Sequence, residues 1–292
     1  MDLQKYLIKE YIIGTAQKIH VPQGALDIIV SLMPKLDVDE ANCIYELMSN
    51  SLTIGESFER LKKLSEGNEH GDLMCVLIYL AASGYTHEKY KELGISDKIF
   101  YDTMDCLSEK IITHRNLYGT WGYKPIYWPS NHINCSLFKC ERLGFEMRKN
   151  LGEDITHNGK PIIKHGDDYL AVHISDNEKL THDLCQKSYQ VARKFFNTYF
   201  PEFKPQYFHC GTWLLDPGLK ALLPENSNIA KFQADFTIYN KKTDNAEVLF
   251  RLFGKADDNL DSYPKDTSLR RNVIEHFKAG KNLGRGFGYI KF

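Results

Sequence analysis

The seven cysteines of this 292-residue chain (Cys43, Cys75, Cys106, Cys135, Cys140, Cys185 and Cys210) contain no C-x-x-C pair. They are scattered and odd in number, which excludes a zinc knuckle and a disulfide framework and predicts reduced thiols in a cytoplasmic protein. Long apolar runs are also missing. The longest, Leu73–Ala82, is too short to span a bilayer. The first residues, MDLQKYLIKE, lack a basic region followed by an apolar one, so a signal peptide is not expected. These absences predict a soluble chain with no membrane contact. No G-x-S-x-G is present, which argues against a serine hydrolase. His165, His173 and His209 have no H-x-x-x-H or H-x-x-E-H spacing, so no metal site is expected.

Charge is present but unevenly shared. Residues 1–115 carry 12 Lys and Arg against 18 Asp and Glu, whereas 116–292 carry 25 against 20. The last stretch, 265–292, holds seven basic residues and two acidic ones. A short basic segment on a nearly neutral chain favours a phosphorylated small molecule over a long nucleic acid, although a solvated charged helix face has the same composition.

Residues 2–115 read as helices throughout. Leu3, Tyr6, Leu7 and Tyr11 fall at helical spacing, as do Leu26, Ile29, Val30 and Met33 before Pro34. Asp37 or Asp39 suits the cap of a third helix, and Thr53 with Glu56 reads as a capping box. Leu73–Ser83 is apolar nearly all round and predicts the central helix of a bundle. His87–Leu93, Gly94-Ile95-Ser96 and Asp97–Ile112 have the outline of a DNA-reading helix-turn-helix. Its second helix, however, sets Asp97, Asp102, Asp105 and Glu109 against only Lys98 and Lys110. Phosphate would repel such a face, so no nucleic-acid partner is expected.

The aperiodic, aromatic stretch 116–134 reads as a connector packed through Trp121, Tyr127 and Trp128. The expected division is 1–134, a helical domain with its connector, and 135–292, where strands alternate with helices. In the second part, Leu137–Met147 and Tyr169–Ile174 read as strands flanking a polar segment, 150–168. Thr181 caps a helix running to Tyr199. Tyr207–Leu215 reads as a buried strand, followed by an Asp216-Pro217 helix start. Lys231–Asn240 and Glu247–Phe253 predict a hairpin, and a last helix and strand follow. The fold class is α+β with two domains.

Glu146 and His173 each interrupt an otherwise apolar strand, and a polar group there needs a partner or a task. Alternation puts Tyr169, Ala171 and His173 on one face, with Leu170, Val172 and Ile174 on the other. His173 has the ordinary titration range of a general base, and the position equally suits a structural histidine at a strand end. Cys210 beside His209 invites a nucleophile reading. Strand neighbours point to opposite faces, so each would need a distant partner. Lys281-Asn282-Leu283-Gly284-Arg285-Gly286 is a basic, glycine-rich turn in which backbone N–H groups can approach a pyrophosphate and Arg285 can pair with a phosphate.

Five stretches in this order, RLGFEM (Arg142–Met147), LAVHI (Leu170–Ile174), TWLLDP (Thr212–Pro217), SNIAKFQADF (Ser227–Phe236) and TSLRRNVIEHFKAG (Thr267–Gly280), resemble a bacterial family of two-domain, GNAT-like acyltransferases. The resemblance covers essentially the whole chain. It implies a GNAT-like mixed-sheet C-terminal domain behind a helical N-terminal one. It further implies transfer of an acyl group from acetyl-CoA or another acyl-CoA, as co-substrate, to an amine acceptor. On that scheme His173 or Glu146 is the base, Thr212 and Trp213 line the acceptor side, and a tyrosine or Cys210 protonates the leaving thiolate. Lys281, Gly284, Arg285 and Gly286 would hold the phosphates. The sequence departs from ordinary members here. Their R/Q-x-x-G-x-G/A turn precedes a helix in mid-domain, whereas this turn lies six residues from the C-terminus and precedes a strand. A GNAT-shaped binding module without catalysis is the alternative the sequence leaves open.

Overall fold

The computed structural model describes residues 2–50, 52–175 and 178–292. The chain divides into two compact units, the first Met1–Lys139 with Ser175–Asn177, the second Cys140–Ile174 with Glu178–Phe292.

The first unit is helical: α1 (Lys9–Lys18), α2 (Gln23–Leu32), α3 (Val38–Met48), α4 (Ile54–Gly67), α5 (Gly71–Glu92), α6 (Asp97–Met104), α7 (Cys106–Tyr118) and the single turn α8 (Ser130–Ile133). The all-round apolar stretch lies in α5, where every residue from Leu73 to Gly84 is buried. A helix without a polar face is stable only when neighbours cover every side, and α1, α2, α3, α4 and α6 all pack against it. Gly84 is required there, since a Cβ would stand 2.3 Å from the Tyr6 ring. The connector lies against the same helix: Tyr79 donates its hydroxyl proton to the Ile126 carbonyl at 2.9 Å, and Thr86 donates to Ile133 at 2.9 Å. Asp37 caps α3, accepting from Asp39 and Glu40. The Thr53 capping box does not form. Thr53 Oγ1 instead donates to the Leu47 carbonyl at 2.9 Å, tying α4 back to α3.

His87–Leu93 is the end of α5 rather than a separate helix, and Gly94 makes the turn at φ +74°. His87 pairs with Asp97 at 2.7 Å and stacks on Phe100 at 4.1 Å. The turn is a packing joint.

β1 (Leu137–Cys140) begins within the first unit, and the second unit is built on strands in the order β2 (Leu143–Lys149), β5 (Asp168–Ile174), β6 (Tyr207–Thr212), β8 (Gly284–Lys291), β7 (Thr237–Thr243). A separate hairpin, β3 (Ile155–His157) and β4 (Lys160–Ile163), lies in the polar segment 150–168, and its Asn158-Gly159 turn is a standard hairpin signal. The long helix α9 (His182–Tyr199) follows β5. It packs Tyr189 against Phe145 and Phe208, 6.2 and 5.4 Å between ring centres.

The expected hairpin of Lys231–Asn240 with Glu247–Phe253 is incorrect. Asn228–Ala234 is helix α10, β7 pairs with β8, and Asn245–Phe253 is helix α11. The β-rich composition of EVLFRLF loses to a good cap. Asp244 accepts from the Glu247 N–H at 2.9 Å, and Val248, Leu249 and Leu252 share one helical face over the core. Tyr207–Leu215 likewise ends as a strand at Thr212 and closes in a short 3-10 turn, Trp213–Leu215. Ser268–Lys278 is the last helix, α12.

Candidate active site

The sheet has two unlike faces. One carries Phe145, Leu170, Phe208 and Cys210 and is buried. On the other, alternation collects Glu146 and Arg148 from β2 with Tyr169 and His173 from β5. The antiparallel register makes Glu146 a direct neighbour of Ala171 and Gly144 of His173, so Glu146 and His173 are diagonal neighbours.

Glu146 is only 6 % exposed, yet both of its oxygens are engaged. His173 Nε2 donates to Oε2 at 2.7 Å, and Arg148 Nε donates to Oε1 at 2.9 Å. Burial alone would push this carboxyl up. The hydrogen bonds from His173 and Arg148 overcome that, and its pKa is lowered. Glu146 is therefore a carboxylate, and His173 Nε2 donates to it.

A second histidine stands across the neighbouring strand. His209 on β6 is paired with Ala171 and shares a hydrogen bond with the Tyr239 hydroxyl at 2.9 Å. Burial, then the charge of Arg148, lowers its pKa to about 4, so this imidazole is neutral at ordinary pH. Tyr239, on the bulge between Ile238 and Asn240, is pushed up by burial to about 12.

Between these two histidines the sheet opens. The parallel strands β5 and β6 pair only at Leu170↔Phe208 and Ala171↔His209, although β5 continues to Ile174 and β6 to Thr212. Beyond Ala171 the ladder stops, and the Val172 carbonyl meets the Cys210 thiol at 3.6 Å instead of a backbone N–H. Two strands that part in this way leave a row of backbone groups to which an extended ligand can bond.

The structure thus brings Glu146 and His173 together and separates the other candidates from them. Cys210 is fully buried on the opposite face, with its thiol pushed up to about 12 by burial, so it packs as a small apolar residue. Thr212 Oγ1 accepts from the Leu214 N–H, capping the turn. Trp213 packs on the cluster of Leu219, Val248, Val273 and Leu283. The glycine-rich turn is occupied by the chain itself. A Cβ at Gly284 would lie 2.1 Å from the Lys242 carbonyl oxygen, and one at Gly286 would lie 2.0 Å from that of Leu215. Arg285 is held by Glu247 through Nε and Nη2 at 3.0 and 2.5 Å. Lys281, at the start of the turn, is exposed.

Three further side chains near these strands escaped the sequence reading. Arg148 could have been found, since it lies two residues beyond Glu146 on the same alternation. Tyr239 could not, because only a bulge aims it at His209. Arg142 is 2 % exposed and donates to the carbonyls of Lys179 and Glu178 at 3.1 and 2.6 Å, bracing the segment that leads from β5 into α9.

Residues 137–290 match the GNAT-like C-terminal domain family, and residues 12–135 match the N-acyltransferase N-terminal domain. The chain belongs to the GNAT-like C-terminal domain family. Among solved structures it is similar to an acyltransferase in complex with decanoyl-CoA and teicoplanin: 24% identity, 97% of this chain and 88% of that one, TM-score 0.80. A mutant acyltransferase in complex with octanoyl-CoA is similar at 23% identity over the same shares, TM-score 0.79. A complex with CoA and 10C-teicoplanin is similar at 23%, again 97% and 88%, TM-score 0.78. At these identities the likeness establishes the fold. No functionally curated protein matches the sequence. For a GNAT-like domain the parted strands and the Glu146–His173 pair are the features on which a chemical reading rests.

Proposed function

We propose that this protein is an N-acyltransferase that moves an acyl group from acyl-CoA to an amine. The observation that carries the reading is the opening between β5 and β6 beside a hydrogen-bonded Glu146–His173 pair. The acyl-CoA complexes of the similar structures point to the same donor.

In this reading the extended arm of the donor adds to the free edge of β5, and a backbone N–H there polarises the thioester carbonyl. The neutral amine attacks the carbonyl carbon. A C–N bond forms, the oxyanion collapses and the C–S bond breaks. His173 takes the ammonium proton at Nδ1 while the Glu146 carboxylate stabilises the imidazolium. That proton then leaves to the CoA thiolate or to water. Cys210 is given no part in protonating the thiolate, because it is walled off on the other face. Thr212 and Trp213 would shape the acceptor side only through the turn they build. Of the basic turn, Lys281 is the residue available to a phosphate.

The acceptor is a small molecule carrying an amine, and the glycopeptide bound by the similar acyltransferases belongs in any first panel of acceptors. All seven cysteines are unpaired thiols, which suits the cytoplasm. No helix among the described residues is long and apolar enough to cross a membrane.

The test is release of CoA thiol when acetyl-, octanoyl- and decanoyl-CoA are mixed with amines of several classes, including a glycopeptide. Amine-dependent release that falls in His173→Ala supports the reading. Release that is unchanged in that variant removes His173 from the mechanism.

A further inference from the structure

Aromatic side chains line the sheet face that carries Glu146 and His173. Ala171 stands opposite His209, His209 opposite Tyr289 and Gly211 opposite Phe287. Tyr169, His209, Phe287 and Tyr289 therefore share this face, and the β7 bulge adds Tyr239. Tyr169 meets His209 edge-on, 5.6 Å between ring centres. His209 lies 5.9 Å from Tyr239 and 6.4 Å from Phe287, and Tyr239 lies 6.2 Å from Tyr289. All five rings are half-buried rather than sealed. We propose that this row of rings is the acceptor subsite, and that it selects amines carrying an aromatic ring. The proposal rests on the reading that the amine gives its proton to His173, and it names the class of amine.

Gly211 shows how the rings are laid out. A Cβ there would stand 2.9 Å from the Phe287 ring, so that ring lies across β6 in the place of a side chain. Its plane is 23° from that of His209. Two nearly parallel rings give a ligand ring a floor for offset stacking, and Tyr169 gives it an edge. The row reaches the reacting pair through Ala171, the small residue between Tyr169 and His173 on their face of β5. At its other end the β3–β4 hairpin bounds it, where His157 Nδ1 and the Tyr289 hydroxyl share a hydrogen bond at 3.0 Å. An amine nitrogen at His173 thus leaves the rest of its molecule over the rings. The carboxylate beside them, Glu146, has both oxygens engaged by His173 and Arg148 and is not available to hold the hydroxyls of a sugar. A flat ring asks for no such partner.

The experiment compares phenethylamine with cyclohexylethylamine, which matches it in shape but has no π system. Their affinities for the full chain are measured calorimetrically with saturating CoA, and their kcat/KM with acetyl-CoA. Phenethylamine should be favoured about tenfold in both. The preference should fall toward unity in Phe287→Leu and in Tyr169→Leu, with unfolding midpoints showing that each variant is folded. Equal affinities in the wild type, no binding of either amine, or a preference unchanged in both variants overturns the proposal. So does a loss of decanoyl-CoA affinity in Phe287→Leu with the amine preference intact, which would give the rings to the acyl chain. Ring-selective binding without acylation would uphold the subsite and count against the transfer reaction alone. Acylation of both amines at equal rates would uphold the transfer and overturn the subsite.

Discussion

Glu146 and His173 face one another at 2.7 Å as diagonal neighbours on adjacent antiparallel strands, Glu146 opposite Ala171 and His173 opposite Gly144. The carboxylate is buried, and its second oxygen is taken by Arg148, so the imidazole is the only mobile proton carrier of the three. His173→Ala should lower kcat/KM by about 10²–10⁴, the usual worth of a general base. Glu146→Gln should cost less, since it removes orientation and charge but leaves the base. Steady-state thiol release in both variants checks the order.

His209 gives stability a pH dependence of known sign. Its folded pKa, about 4, is below the ordinary 6.5, so between these values the unfolded chain binds a proton that the folded chain refuses. Stability should be unaffected by His209 above pH 6.5 and should fall as pH drops toward 4, by up to about 3 kcal/mol. Glu146 adds to this in a lower window, because its lowered folded pKa gives stability that is complete above the unfolded value and lost as pH falls through the folded one. Urea unfolding at several pH values should show a flatter profile between pH 6.5 and 4 in His209→Gln.

Asp216 is buried and ties three segments together. Oδ1 accepts from the Gly218 N–H at 2.7 Å and from Lys241 Nζ at 2.9 Å, while Oδ2 accepts from the Gly284 N–H at 2.5 Å. Asp216→Ala leaves a cation and two N–H groups without their acceptor and should destabilise by about 3–5 kcal/mol. Unfolding midpoints measure this directly.

The same network explains how much of the second unit could be read from sequence. The Asp216-Pro217 start was legible because capping is local: the signal and its partner lie two residues apart. The Glu146–His173 pair was half legible. Each residue stood out as a polar break in an apolar strand, but their meeting depends on strand register, which no local pattern carries. Lys281–Gly286 is ambiguous in sequence for a physical reason, since a glycine needed for close approach to another backbone looks the same as one needed for a phosphate. EVLFRLF misled because its residues suit a strand, while the deciding cap, Asp244, lay in what read as a loop.

The glycine-rich turn makes its own prediction. Gly286→Ala forces a Cβ onto the Leu215 carbonyl and should destabilise by about 1–3 kcal/mol. Lys281→Ala, on an exposed residue, should leave the unfolding midpoint unchanged. Thermal unfolding of the two variants separates packing from surface.

Cys210→Ala should retain wild-type turnover and lose about 1 kcal/mol of stability, since only a buried thiol contact with Val172 is removed. A large loss of turnover in a folded variant would return Cys210 to the reacting centre.

The most direct test is calorimetric titration of the full chain with acetyl-, octanoyl- and decanoyl-CoA at low and high salt. Saturable binding of an acyl-CoA, weakening as salt rises because phosphates are being held, is the predicted result. Folded protein that binds none of the three would contradict an acyl-CoA-dependent reaction at the β5–β6 opening.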